Sequence, residues 1–206
     1  RNCWYVAAFT TELGRQPLAR TVLDMPLVFF RREDGTPVAL ADRCPHRFAP
    51  LSAGRLVGDT IECAYHGLRF DGSGACTANP HNDGKAHGAA GVASYRLHER
   101  YGFVWLWPGE AQPDLALIPH SPFLEDDSQW RVLRGLLPVQ GNYQLVTDNL
   151  LDLTHAPFIH PGFVMPGTSV AQQLAHTQTR VERQGNSVFS WRLRTGLPPN
   201  QATIDL

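Results

Sequence analysis

The stretch CPHRFAPLSAGRLVGDTIECAYHG, residues 44–67, places a Cys-x-His and a Cys-x-x-His within one short span. The side chains in question are Cys44, His46, Cys63 and His66. Thiol and imidazole donors suit a soft or borderline metal. Structural zinc sites usually pair Cys-x2-4-Cys with His-x3-5-His or with a second cysteine pair. One Cys and one His from each half instead suits a two-iron cluster, in which one iron takes both thiolates and the other both imidazoles. Neutral imidazoles in place of anionic thiolates ease the addition of an electron, so the potential rises. Gly67 permits the tight turn that aims the ligands inward. A zinc knuckle, or four unrelated buried residues, is the competing reading, and a visible spectrum separates them.

Composition narrows the classes. At 206 residues the chain can bury a real core in one or two domains. Lys plus Arg is 18 against 19 for Asp plus Glu, and no basic run points to nucleic acid. No apolar stretch approaches the roughly 20 residues of a membrane span. The opening RNCWYVAAFTTEL lacks the apolar core and cleavage site of a signal peptide. Four cysteines do not make a disulfide framework, and metal binding in a reducing cytoplasm fits better. Cys3 and Cys76 have no ligand partners nearby and read as small buried residues. The chain opens on Arg1 rather than Met, so a longer gene product is expected.

Strand and turn signals dominate the first half. PLVFFRREDGTPVAL is two apolar runs around Asp34-Gly35, a hairpin signal. DTIEC reads as a strand, and GLRFDGSGACT as a hairpin turning at Asp71 to Gly74. NPHNDGKAHGAAG carries almost no large apolar residue, so it reads as a surface loop with His81 and His87 solvated rather than ligating. YGFVWLWPG is a buried strand, and the Pro-rich EAQPDLALIPHSPF after it reads as a domain junction.

The second half changes character. NYQLVTDNLLDLTHA has apolar residues at helical intervals and no Gly or Pro, which predicts a helix from about Asn142 to Ala156. Pro157 is expected to stop it, since proline costs about 3 kcal/mol in a helix interior. On such a helix Asp148, Asp152 and His155 share one face. His160 lies past Pro157, on a turn able to fold back. Two histidines with one carboxylate make the facial triad of non-haem Fe(II), which keeps coordination positions open. RVERQGNSVFSWRLRTG reads as a hairpin turning near Gly185-Asn186.

CPHR and CAYHG resemble the two cluster-binding loops of Rieske [2Fe-2S] proteins, and DNLLDLTHAPFIH resembles the mononuclear-iron helix of the Rieske non-haem iron oxygenases. RNCWYVAAF, CPHRFAPLSAG, YHGLRFDGSG, ERYGFVWLWPG and DNLLDLTHAPFIH follow in the order seen in the oxygenase (alpha) subunits of the vanillate O-demethylase, dicamba O-demethylase and toluenesulfonate methyl-monooxygenase group. The resemblance covers residues 1 to about 165 well and the rest weakly. It implies an α+β chain: an all-β Rieske domain over 1–118, then over 119–206 the start of a helix-grip (START-like) catalytic domain with an antiparallel sheet. By the same carry-over Cys44, His46, Cys63 and His66 bind the cluster, and His155 and His160 bind the mononuclear Fe(II). Asp152 and Asn149 take catalytic roles, Asp152 by bridging His155 to a cluster histidine, by motif position His66, of a neighbouring subunit. The family's third iron ligand is an aspartate far downstream. Only Glu182 and Asp205 are acidic after His160, both too close in sequence, so that ligand is expected beyond residue 206.

The resemblance further implies a terminal oxygenase component, cytoplasmic and homotrimeric. It takes electrons from a flavin and iron-sulfur reductase that oxidises NAD(P)H, with dioxygen as oxidant. The expected reaction is O-demethylation of a methoxybenzoate such as vanillate, with formaldehyde released. Ring hydroxylation or dihydroxylation, and aryl-methyl hydroxylation, are the alternatives at the same metal centres. A Rieske ferredoxin acting only as an electron carrier is disfavoured by the His155 and His160 pattern.

Overall fold

The computed structural model describes residues 2–81, 91–125, 128, 130–160, 164, 167–185 and 187–197. The chain divides into two compact units, Arg1–Leu133 and Arg134–Leu206. The first unit is antiparallel β throughout. β1 (Tyr5–Phe9), β2 (Leu18–Val22), β3 (Met25–Arg31), β4 (Pro37–Ala41), β9 (Ser94–Arg100) and β10 (Phe103–Trp107) form a sheet in the order β1-β10-β9-β4-β3-β2. A smaller sheet joins β5 (Arg55–Val57), β6 (Thr60–Glu62), β7 (Arg69–Phe70) and β8 (Cys76–Ala78) in sequence order.

Residues Leu27 to Phe30 explain why β3 reads as an unbroken apolar run. Successive side chains of a strand point to opposite faces, and here both faces are covered. Val28 and Phe30 enter one core with Leu40, Leu51, Ile61 and Phe70, while Leu27 and Phe29 enter another with Ala8, Val104 and Leu106. The turn after β3 follows local chemistry: Asp34 Oδ1 accepts from the Thr36 N–H at 2.8 Å, and Gly35 takes φ +85°. The β7–β8 turn repeats the device, with Asp71 Oδ1 accepting from Ser73 N–H at 2.8 Å and Gly74 at φ +85°. Beyond β10, the Pro-rich stretch sends Ile118 into a third core with Trp4, Tyr101 and Trp107. Trp4 Nε1 donates to the Asp114 carbonyl at 2.8 Å. Cys3 is exposed and Cys76 half-buried, so neither is the fully buried residue expected.

The second unit holds α1 (Tyr143–Leu151), α2 (Ala156–Ile159), α3 (Val170–Ala175) and the antiparallel ribbon of β11 (Thr177–Gln184) and β12 (Ser187–Arg194). The ribbon turns at Gly185, φ +60°; Asn186 lies outside the described residues. The expected helix over 142–156 is corrected. α1 begins on the Asn142 cap, whose Oδ1 accepts from Gln144 N–H at 2.9 Å, and ends at Leu151. Asp152 leaves the helical region at φ −100°, ψ 89°, because its carboxylate takes the Thr154 N–H at 2.9 Å and starts a 3-10 turn over Leu153–His155. Asp side chains compete for backbone donors in this way. Pro157 does not stop a helix; it sits in the first turn of α2, where its missing N–H costs nothing. The shared face of Asp148, Asp152 and His155 rested on an unbroken helix and lapses with it. Among the described residues no helix is long and apolar enough to cross a membrane.

Candidate metal centres

Cys44 follows β4, and Cys63 follows β6, at the two ends of the quoted stretch. Their loops share one hydrogen-bond pattern. Cys44 N–H donates to the Ala49 carbonyl at 2.8 Å, and Cys63 N–H to that of Leu68 at 2.8 Å. In the reverse sense Phe48 N–H donates to the Cys44 carbonyl at 2.8 Å, and Gly67 N–H to that of Cys63 at 2.9 Å. Both cysteines belong to the core, at 2% and 1% exposure. The histidines point to the surface side, their ring centroids 4.5 Å apart and nearly edge to face. Two adjacent buried thiols and two adjacent imidazoles therefore come from one pair of loops.

Charge explains what this set demands. Burial pushes the Cys44 thiol up, and the neighbouring Cys63 sulfur pushes it further, against backbone N–H groups of His46 and Arg47. The raised Cys44 thiol does not ionise readily without a cation beside it, and thiolate is the ligating form. Desolvation pushes His66 down, with coulombic repulsion from His46, His81 and Arg47 adding to it, so the neutral ligating imidazole is favoured. Among the described residues no three His, Cys, Asp or Glu side chains converge as a cage for one ion. A two-iron cluster needs no such cage, since it takes two ligands per iron. The donor set fits that group.

Aromatic and basic side chains surround the loops. Tyr65 lies tilted at 38° against His66 with centroids 3.9 Å apart and remains 64% exposed. The Arg43 guanidinium lies 3.9 Å over the Phe48 ring. His81, expected as a solvated loop residue, is exposed yet bonded: its Nε2 lies 3.0 Å from the His66 carbonyl oxygen. The Asn-Pro-His run, an Asx-turn signal, could have drawn attention to it. His87 lies outside the described residues.

In the second unit His155 ends the 3-10 turn and His160 follows α2, their ring centroids 5.5 Å apart. Asn149 Nδ2 stands 3.5 Å from His155 Nε2, the long limit of a hydrogen bond. The Asp152 carboxyl is held below the usual carboxylate range by the Thr154 hydroxyl and N–H, with His155 and Arg192 adding charge at longer range. Asp148 lies on exposed helix surface. Glu182 is occupied by Arg180 at 3.0 Å and Gln184 at 2.8 Å, and Asp205 lies outside the described residues. The missed α3 carried a legible signal. Ser169 and Gln172 form a reciprocal capping box, with Ser169 N–H donating to Gln172 Oε1 at 2.7 Å.

Similarity to known proteins agrees with this layout. The Rieske [2Fe-2S] domain family matches residues 3–96, and the vanillate O-demethylase oxygenase C-terminal domain family matches 139–204. The oxygenase component of dicamba O-demethylase from Stenotrophomonas maltophilia is 47% identical over 161 residues, 78% of this chain and 47% of that protein. A vanillate O-demethylase oxygenase subunit from Pseudomonas sp. (strain HR199 / DSM 7063) is 37% identical over 196 residues, 93% of this chain and 52% of that one. The crystal structure of dicamba monooxygenase bound to dicamba superposes with a TM-score of 0.89 at 38% identity, over 100% of this chain and 60% of the other. The chain spans about half the length of the curated relatives it matches.

Proposed function

The chain belongs to the Rieske-type oxygenases related to the dicamba and vanillate O-demethylases, and from that premise we propose that it is part of the terminal oxygenase of a multicomponent aromatic monooxygenase. Its reaction is O-demethylation of a methoxylated aromatic acid. The observation that carries the reading is the paired donor set, two adjacent buried thiols and two imidazoles whose ring centroids lie 4.5 Å apart. Cys44 and Cys63 would hold one iron of a [2Fe-2S] cluster, and His46 and His66 the other. His155 and His160 would hold a mononuclear Fe(II). When bound, these groups supply single-electron transfer and dioxygen activation.

The chain's own residues hold and orient. Core burial of Cys44 and Cys63 excludes water from the thiolates, while the outward imidazoles give electrons a short route from the surface. Asn149 reaches the Nε2 edge of His155 and limits how that ring turns. Asp152, kept ionised by Thr154, places negative charge beside His155 and bridges it to His66 of a neighbouring copy in a homotrimer. A separate NAD(P)H-dependent reductase with flavin and iron-sulfur centres feeds the cluster. The whole assembly works in the cytoplasm.

The test has two arms. Reduced protein should give the EPR spectrum of a mixed-ligand [2Fe-2S] cluster, with iron and sulfide in equal amounts within it. With a reductase and oxygen, a panel of methoxybenzoates should yield formaldehyde one-for-one with phenol. A colourless zinc protein sinks the cluster; hydroxylated rings without formaldehyde move the reaction to arene hydroxylation.

A further inference from the structure

Asn79, Pro80 and His81 lie outside the donor set, yet each takes part in gripping the second cluster loop. His81 N–H donates to Asn79 Oδ1 at 3.0 Å, closing an Asx turn. Pro80 sits over Gly67 so closely that a Cβ there would come within 2.9 Å of Pro80 Cγ. The third residue reaches back fifteen positions, with His81 Nε2 3.0 Å from the His66 carbonyl oxygen and the two rings 6.1 Å apart at 68°. A carbonyl oxygen only accepts, so Nε2 carries the proton and donates. The turn continues β8, which pairs with β7, and β7 follows the Tyr65-His66-Gly67 loop. Sheet pairing thus delivers the clamp to its target.

We infer that His81 is a positioning residue for the cluster, its Nε2–H holding the His66 carbonyl and with it the orientation of the His66 ring. The inference rests on His66 being a cluster ligand, as proposed above. Gly67 has to lack a side chain for Pro80 to approach, and at φ +73° it sits in a region glycine enters and leaves readily. That freedom lets the His66–Gly67 peptide rotate, and the bond from His81 removes it. The same N–H sets the positive end of a dipole beside the ligand loop, which favours an added electron there. Hydrogen bonds around ligands tune potential in just this manner.

The experiment compares His81→Phe, which keeps a ring and loses the donor, with His81→Gln, which keeps a donor at similar reach. Both are made in the intact, cluster-loaded protein and read by redox titration and reduced-state EPR, without turnover. His81→Phe should lower the midpoint potential and broaden the spectrum as His66 samples several orientations; His81→Gln should restore both. Loss of the cluster in the Phe variant alone carries the same meaning. Wild-type potential and line shape in His81→Phe, or equal damage in both variants, overturn the inference. A wild-type protein without a mixed-ligand spectrum removes the ligand assignment, and the inference with it, before any variant is compared.

Discussion

Phe48 and Gly67 hold equivalent places in the two cluster loops. Each lies four residues past a cysteine, donates its N–H to that cysteine's carbonyl, and adopts a left-handed backbone, φ +60° and +73°. Only one of the two is a glycine. Phe48 therefore carries a local cost of about 1–2 kcal/mol that glycine avoids. Its partial compensation is the Arg43 guanidinium at 3.9 Å, worth about 0.5–1 kcal/mol at an exposed site.

That asymmetry predicts opposite responses. Gly67→Ala adds the left-handed cost and drives a methyl into Pro80, so it should destabilise by at least about 1–2 kcal/mol and reduce cluster loading. Phe48→Gly should leave the melting temperature within a few degrees of wild type. Calorimetry with iron analysis checks both; full loading in Gly67→Ala would show that the loop tolerates a side chain.

Exchanging an imidazole ligand for a thiolate adds negative charge where an electron must enter. His46→Cys and His66→Cys should therefore each lower the midpoint potential of an assembled cluster. An unchanged potential in a still-assembled cluster counts against these ligands.

His155 and His160 belong to the other compact unit. His155→Ala or His160→Ala should abolish formaldehyde release and leave the cluster's visible and EPR spectra as they are. Loss of the cluster in either variant would mean that the two centres are not separable.

Substitution can separate the cap that Asp152 forms from the bridging role proposed for it. Its Oδ1 caps the Thr154 N–H at 2.9 Å, and asparagine keeps that cap while removing the charge. Asp152→Asn should retain both metals and slow reoxidation of a prereduced cluster by orders of magnitude in a single turnover. Reoxidation as fast as wild type would reduce Asp152 to a cap.

Acid sensitivity should centre on Arg31 and Glu99. Their bidentate contact, at 2.5 and 3.0 Å, joins β3 to β9 across β4, and the Arg31 hydrogen bond holds the Glu99 carboxyl below its usual range. A lowered folded pKa gives stability that is full above the unfolded carboxyl value of about 4.3 and lost as pH falls through the folded one. Glu99→Gln should cost roughly 2 kcal/mol at pH 7, and the gap to wild type should close progressively below about pH 4. Denaturant melts across that range test it; a gap that stays constant with pH would assign the loss to packing.

The hairpins at Asp34-Gly35 and Asp71-Gly74 and the helical character after Asn142 were legible in the sequence. Each depends on interactions a few residues long: Asx turns, left-handed glycines, period-two alternation. The break at Asp152 is equally local, but helical periodicity and a cap compete there, and only the folded chain reports which wins. Other features were decided by tertiary structure. Strand order, not spacing, brings Cys44 beside Cys63, His46 to 4.5 Å from His66 and Arg31 onto Glu99, 68 residues away. It also turns His81 from a solvated loop histidine into a donor to His66. A residue pattern encodes which backbone turns are cheap; which distant side chains those turns bring together depends on how the strands pair.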